Sequence, residues 1–184
     1  MQNNSLPKEE KLDGSEMYRG LLVTVEHWRA VVPDGRVALR EIVSHAGASA
    51  IVPVDENGFV TLVWQYRIAM GRHLLEIPAG KRDDPEEDFL SCAKRELKEE
   101  TGLTANDWIP LTAIDTSPGF LTERIGLFLA MGLSEGDANP DEDEYLQIKK
   151  MPLSEAVSWV MKGRITDAKT IAGLLMASEY VRNA

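Results

Sequence analysis

The sequence predicts a mixed α+β domain, and three observations carry that prediction. Strand-like apolar runs recur from residue 20 to residue 150, one acidic amphipathic helix is embedded among them, and two more helical patterns close the chain. At 184 residues and 43% hydrophobic residues, this is one domain with a sizeable core, or one domain with a small appendage. There are no repeats and no low-complexity blocks.

Taken in order, residues 1–18 are polar and mixed in charge and read as a flexible tail. They have neither the apolar core of a signal peptide nor the basic, acid-poor composition of a transit peptide. Residues 20–32 (GLLVTVEHWRAVV) are strand-like, Pro33-Asp34-Gly35 is a turn signal, and residues 36–43 return. Residues 48–54 and 59–66 flank Asp55-Glu56-Asn57-Gly58, where Asn-Gly predicts a hairpin. Residues 73–77 form a short strand running into Pro78-Ala79-Gly80. A helix is expected to start near Pro85 to Asp88, with acids in its first turn, and to stop at Gly102. Strands follow at 108–114, 125–131 and 145–150. Pro152 and Ser154 open a short helix to about Lys162. The last helix follows Ile165-Thr166-Asp167 and places Ile171, Leu174, Leu175 and Val181 on one face.

The formal net charge of −10 argues against a nucleic-acid backbone or an anionic membrane as partner, but not against a small phosphorylated substrate met by cations. No run approaches the ~18 apolar residues of a membrane span. Cys92 is the only cysteine, so no intrachain disulfide forms and a cytoplasmic location is the expectation. It sits mid-helix and reads as a packing residue.

Chemistry concentrates in the embedded helix. Arg95-Glu96-Leu97-Lys98-Glu99-Glu100 places Glu96 and Glu100 at i,i+4 on one face, with Glu99 at i+3 from Glu96. Such a run is often a solvated face paired with its own lysines and arginines. The helical wheel argues otherwise. Phe89, Leu90, Ala93 and Leu97 form the apolar arc, Glu100 falls between Phe89 and Ala93, and Glu96 stands at the edge. A carboxylate beside a buried stripe is costly unless paired or bound to a cation, and a hard divalent ion wants converging oxygen ligands. The pattern therefore points to a metal site for phosphate chemistry. No Walker loop, GxGxxG, GxSxG or HExxH is present, and His27, His45 and His73 are scattered.

The run GKRDDPEEDFLSCAKRELKEETGL from Gly80 resembles the Nudix box. Glu87, seven residues, then Arg95-Glu96-Leu97-x-Glu99-Glu100-x-Gly102-Leu103 fits the pattern, while the first spacer, from Gly80 to Glu87, encloses six residues where the pattern has five. Such an insertion falls in the loop before the helix, where it is tolerated. Gln65-Tyr66-Arg67, Leu75-Glu76-Ile77-Pro78-Ala79-Gly80-Lys81, Ser117-Pro118-Gly119-Phe120 with Glu123, Arg40-Glu41 and Asp167-Ala168-Lys169-Thr170 extend the resemblance to the ADP-ribose pyrophosphatase and nucleoside diphosphate sugar hydrolase branch.

That resemblance implies an α/β/α sandwich with a mixed sheet over residues 47–184, preceded by an antiparallel sheet segment at 19–46 that serves homodimerisation. It implies metal-dependent hydrolysis of the diphosphate bond in ADP-ribose or a related nucleoside diphosphate sugar, with Mg²⁺, or Mn²⁺, as cofactor. By position, the Ala79 carbonyl, Glu96 and Glu100 resemble the metal ligands, with Glu99 assisting. Glu87 resembles the carboxylate that orients Arg95, which in turn orients the ligand glutamates. Arg67 resembles a diphosphate contact, Arg40 a contact to the neighbouring subunit's substrate, and Trp28 a base-stacking aromatic. Pro118, Gly119 and Phe120 belong to the substrate loop. The catalytic base is expected from the acidic segment Asp141-Glu142-Asp143-Glu144, with Glu142 first and Glu144 second. The alternatives are a non-catalytic nucleotide-sugar sensor of the same fold, and a hydrolase of other nucleoside diphosphate or triphosphate substrates.

Overall fold

A computed structural model describes residues 6–84, 86–139 and 145–183. The chain divides into two compact units, one of residues up to His45 with Asp115–Glu123, the other of Ala46–Ile114 with Arg124 onward.

In the first unit, β1 (Glu10–Arg19), β2 (Thr24–Val31) and β3 (Val37–Ser44) form an antiparallel sheet in the order β1-β2-β3. Strand β1 lies where the sequence reads as tail. Its ten residues are all exposed, and EKLDGSEMYR has no apolar alternation to announce it. Pairing with β2 holds it, helped by the Arg29–Asp13 ion pair and by Lys11 Nζ, 3.6 Å from the centre of the Trp28 ring. The turn at Ser117 to Phe120 is locked to β3, because Val43 N donates to Phe120 O at 2.7 Å and Thr122 N donates to Val43 O at 2.9 Å.

The second unit holds two sheets. One has the order β7-β4-β9-β8, from Ala79–Lys81, Ala48–Pro53, Arg124–Ser134 and Thr104–Asp115; the other has the order β10-β5-β6, from Gln147–Pro152, Phe59–Arg67 and Arg72–Glu76. The first is mixed, since β4 runs parallel to β9 and antiparallel to β7. Period-two alternation places successive residues of β4 and β9 on opposite faces. Ala50, Val52, Leu127 and Leu129 enter the main core with Leu62, Ile77 and Leu174, while Ile51, Phe128 and Ala130 pack with Ala93, Leu97 and Leu103. Helix α1 (Phe89–Thr101) covers the second face, and α3 (Ala168–Asn183) packs on β4 and β9 and against α2 (Leu153–Met161).

Three local expectations change. The Asn57-Gly58 turn forms, with Gly58 at φ 76° and the Asp55 carboxylate accepting from the Asn57 and Phe59 amides at 2.9 Å. It does not close a hairpin ladder, because β4 and β5 leave it for different sheets and meet only at the Val54–Val60 bridge. Helix α1 begins at Phe89, just past the expected start; the Asp88 side chain caps it by accepting from the Leu90 and Ser91 amides at 3.0 Å. In α3 the buried face is Thr170, Gly173, Leu174 and Ala177, while Leu175 and Val181 are each 39% exposed. Gly173 leaves the helix only enough room to approach Val52 and Ile77, so the small residues set the contact.

Candidate active site

The site is built where α1 crosses β7. Glu96 and Glu100 are buried, at 8% and 3% exposure, as their place beside the apolar arc predicts. Glu100 Oε2 accepts the Ala79 amide at 3.1 Å, tying the helix to the first residue of β7. The next residue is Gly80, where a Cβ would fall onto the Glu96 carboxylate; the missing side chain is the room that carboxylate occupies.

Arg95 hydrogen-bonds three carboxylates and pairs with a fourth, Asp83, at 3.4 Å. Its Nη1 donates to Glu96 Oε1 at 2.7 Å and Glu99 Oε2 at 3.1 Å; Nη2 donates to Glu87 Oε2 at 3.2 Å and Lys81 O at 3.0 Å, and Nε to Glu87 Oε1 at 3.3 Å. Burial works against the charge on Arg95, but the hydrogen bonds from Glu87, Glu96 and Glu99 outweigh it and raise its pKa. The same bond from Arg95 lowers the Glu87 pKa. A single guanidinium thus holds the helix carboxylates against the loop that carries Glu87.

A second polar group lies in the same unit, joining the end of β5, the end of β6 and the start of α3. The Glu76 carboxylate accepts Arg67 Nε and Nη2 at 2.8 Å each and is also paired with Lys169 Nζ. Lys169 reaches Asp167 Oδ1 at 3.1 Å. The Thr170 hydroxyl accepts the Ile77 amide at 2.9 Å and donates to Asp167 Oδ2 at 2.6 Å. Burial pushes the Glu76 carboxyl up, but the Arg67 hydrogen bond and the Lys169 charge prevail and bring it down to about 2.

A family model described as NUDIX domain matches residues 43–174. The chain belongs to the NUDIX family. It is 37% identical over 169 residues to an ADP-ribose pyrophosphatase of Mycobacterium tuberculosis, which spans 90% of this chain and 81% of that protein. It is 36% identical over 166 residues to a methanol dehydrogenase activator of Bacillus methanolicus, spanning 89% of each. A crystal structure of an ADP compounds hydrolase matches with a TM-score of 0.84 at 25% identity, over 97% of both chains.

The structure of this NUDIX chain brings Ala79, Glu87, Arg95, Glu96, Glu99 and Glu100 together in one unit. Apart from Arg95, which donates N–H groups to the others, these residues offer oxygen atoms, the ligands a hard divalent ion takes, and the Gly80 gap gives Glu96 its space. As the side chains stand, Arg95 holds Glu96 and Glu99, and among the described residues no three His, Cys, Asp or Glu side chains are already gathered as a metal cluster. Glu142 and Glu144 lie outside the described residues. A cavity of about 620 Å³ lined by Asp55, Thr101, Met131 and Lys150 includes none of the α1 glutamates. Cys92 is buried, and that burial pushes its thiol up to about 11, as suits a packing residue.

Trp28 and Arg40 stand in the first unit as directly opposed residues of β2 and β3, a placement that puts them on one face of that sheet. Arg40 donates from Nε and Nη2 to Glu9 at 3.0 and 2.6 Å. Pro118, Gly119 and Phe120 form the turn locked to β3, with Phe120 52% exposed. Glu76, Asp167, Lys169 and Thr170 carry no role legible in the sequence. An acid between Leu75 and Ile77 in a short apolar strand is the signal that marks Glu76.

Proposed function

We propose that the protein hydrolyses the diphosphate bond of ADP-ribose or a related nucleoside diphosphate sugar, giving a nucleoside monophosphate and a sugar phosphate. One observation carries the reading: Glu96 and Glu100 are buried on the turn of α1 that faces Ala79 and Gly80, with Arg95 gathering Glu87, Glu96 and Glu99. A stability role alone gives no reason to bury two acids on one helix face. Relatives named for ADP-ribose and ADP-compound hydrolysis support the substrate class.

In this reading Glu96, Glu100 and the Ala79 carbonyl hold Mg²⁺, or Mn²⁺, with Glu99 assisting. The ion supplies charge neutralisation for the diphosphate and acidifies the attacking water. The chain's own groups do the rest. Glu87 fixes the Arg95 guanidinium, and Arg95 keeps the α1 carboxylates oriented in the absence of substrate. Arg67 contacts the diphosphate. Glu142, or Glu144, takes the proton of the water. Trp28 stacks on the base, Arg40 reaches the substrate of the neighbouring subunit, and Pro118, Gly119 and Phe120 belong to the substrate loop. Leu12, Met17, Val37 and Leu39 are all more than half exposed on the β1–β3 sheet, which supports a homodimer formed through residues 19–46 and their neighbours. A single cysteine supports a cytoplasmic setting.

The test is kcat/KM with Mg²⁺ on ADP-ribose, ADP-glucose, UDP-glucose, GDP-mannose, NADH and diadenosine polyphosphates. The expected result is turnover of the nucleoside diphosphate sugars with ADP-ribose among the best. No turnover on any of them overturns the reading.

A further inference from the structure

Glu76 ends β6 between the buried Leu75 and Ile77, and its side chain is only 2% exposed. It receives two cations. Arg67 grips it fork to fork through Nε and Nη2, and Lys169 pairs with it from α3. A buried ion group of this kind adds little stability over an apolar core of similar volume, so its use is sought in orientation. The exposures of the three side chains are graded: Arg67 39%, Lys169 12%, Glu76 2%. Of the three, only the Arg67 side chain is substantially exposed. Among the described residues no hydrogen bond engages its Nη1, while its other edge is fixed in plane by the bidentate grip. Lys169 is tied on its far side to Asp167, so α3 anchors the carboxylate from behind.

Arg67 also senses the α1 site. The Glu76 hydrogen bond raises its pKa against the opposing effect of burial, and the charges of Glu76, Asp167 and Glu100 raise it further. The geometry agrees: three residues after Glu76, the Ala79 amide donates to Glu100 Oε2 at 3.1 Å, so the strand that carries Glu76 runs directly into the α1 site.

We infer that Glu76 is a positioning residue for diphosphate binding: it fixes the plane of the Arg67 guanidinium so that the Nη1 edge meets the anionic oxygens, and Lys169 holds Glu76 for that task. This rests on reading the site as a nucleoside diphosphate sugar hydrolase. A carboxylate that only braces β6 against α3 would act on stability and not through Arg67. A lysine at position 67 would keep the charge but lose the planar fork.

The experiment compares Arg67→Ala, Arg67→Lys, Glu76→Gln and the double variant Glu76→Gln/Arg67→Ala. It reads kcat and KM on ADP-ribose with Mg²⁺, and Kd for a methylene-bridged ADP-ribose analogue by calorimetry. Each single variant is expected to raise KM and Kd about tenfold or more, with kcat changed less than KM. The double variant is expected to match Arg67→Ala within about twofold. Losses that multiply in the double variant, or an Arg67→Lys variant with wild-type KM, overturn the inference. If Glu76→Gln does not fold, Arg67→Lys decides alone: affinity like Arg67→Ala supports the inference, and affinity like wild type overturns it. Wild-type turnover combined with either overturning result sinks this inference only. A wild-type protein that neither turns over nor binds the analogue sinks the functional reading and this inference with it.

Discussion

A carboxylate such as Glu76 is stable inside a protein only while its cations stay in place. Folding lowers its pKa from 4.5 to about 2, a difference worth roughly 3 kcal/mol. The sign follows from that direction. The contribution is fully present above about pH 4.5, where the group is ionised even in the unfolded chain, and is lost as the pH falls toward 2. Urea unfolding between pH 5 and pH 2 is therefore expected to show stability falling with acid, and Glu76→Gln is expected to flatten that dependence; an unchanged slope in the variant would contradict the pairing. At this scale the sequence is legible for residues with a local pattern. Glu96 and Glu100 are marked by their spacing against the apolar arc of α1. Glu76 is marked only as an acid between apolar neighbours, because its partners Arg67 and Lys169 come from the end of another strand and from a helix about ninety residues away. The Leu-Glu-Ile sequence shows that something must pair the acid but not what does.

Helix α1 carries the proposed metal ligands and depends on how it ends. Asp88 starts it, and Ser91 Oγ donates back to the same carboxylate at 2.6 Å. Gly102 stops it at φ 72°, with its amide on Lys98 O at 2.9 Å. There the segment after β9 packs onto the helix end. Asn139 N donates to Glu99 O at 2.9 Å, and a Cβ on Gly102 would strike the Gly136 carbonyl. Gly102→Ala therefore faces both left-handed backbone strain and a backbone clash. It is expected to cost at least about 1–2 kcal/mol, read as a lower thermal midpoint. An unchanged midpoint would show that the helix end tolerates a side chain. The C-terminal stop was legible because glycine in that position has a local cause. The start falls just past the expected one because Pro85 and the acids after it imitate a first turn, while the side-chain hydrogen bonds of Asp88 decide the matter.

In the molecule as a whole, what the sequence hides is how strands are shared between sheets. The Asn57-Gly58 turn is present, yet β4 pairs in parallel with β9 and β5 pairs with β6 and β10. Both faces of β4 are buried, so its apolar run has no alternation that tells a central parallel strand from a hairpin arm. Strand β1 is hidden for the opposite reason, being exposed along its whole length. That topology sets α1 on one face of the mixed sheet and draws β5, β6 and α3 into the Glu76 group. The acids outnumber the lysines and arginines, 30 to 20, so under the proposed function an anionic substrate would be met by a local cation such as Arg67 and by ions bound to carboxylates. Under the proposed function the buried α1 carboxylates carry the chemistry. The most direct measurement is kcat for Mg²⁺-dependent ADP-ribose hydrolysis by Glu100→Gln beside wild type, with folding checked by circular dichroism. A fall of about two orders of magnitude or more in a folded variant is the predicted result; near-normal turnover in that folded variant would contradict it.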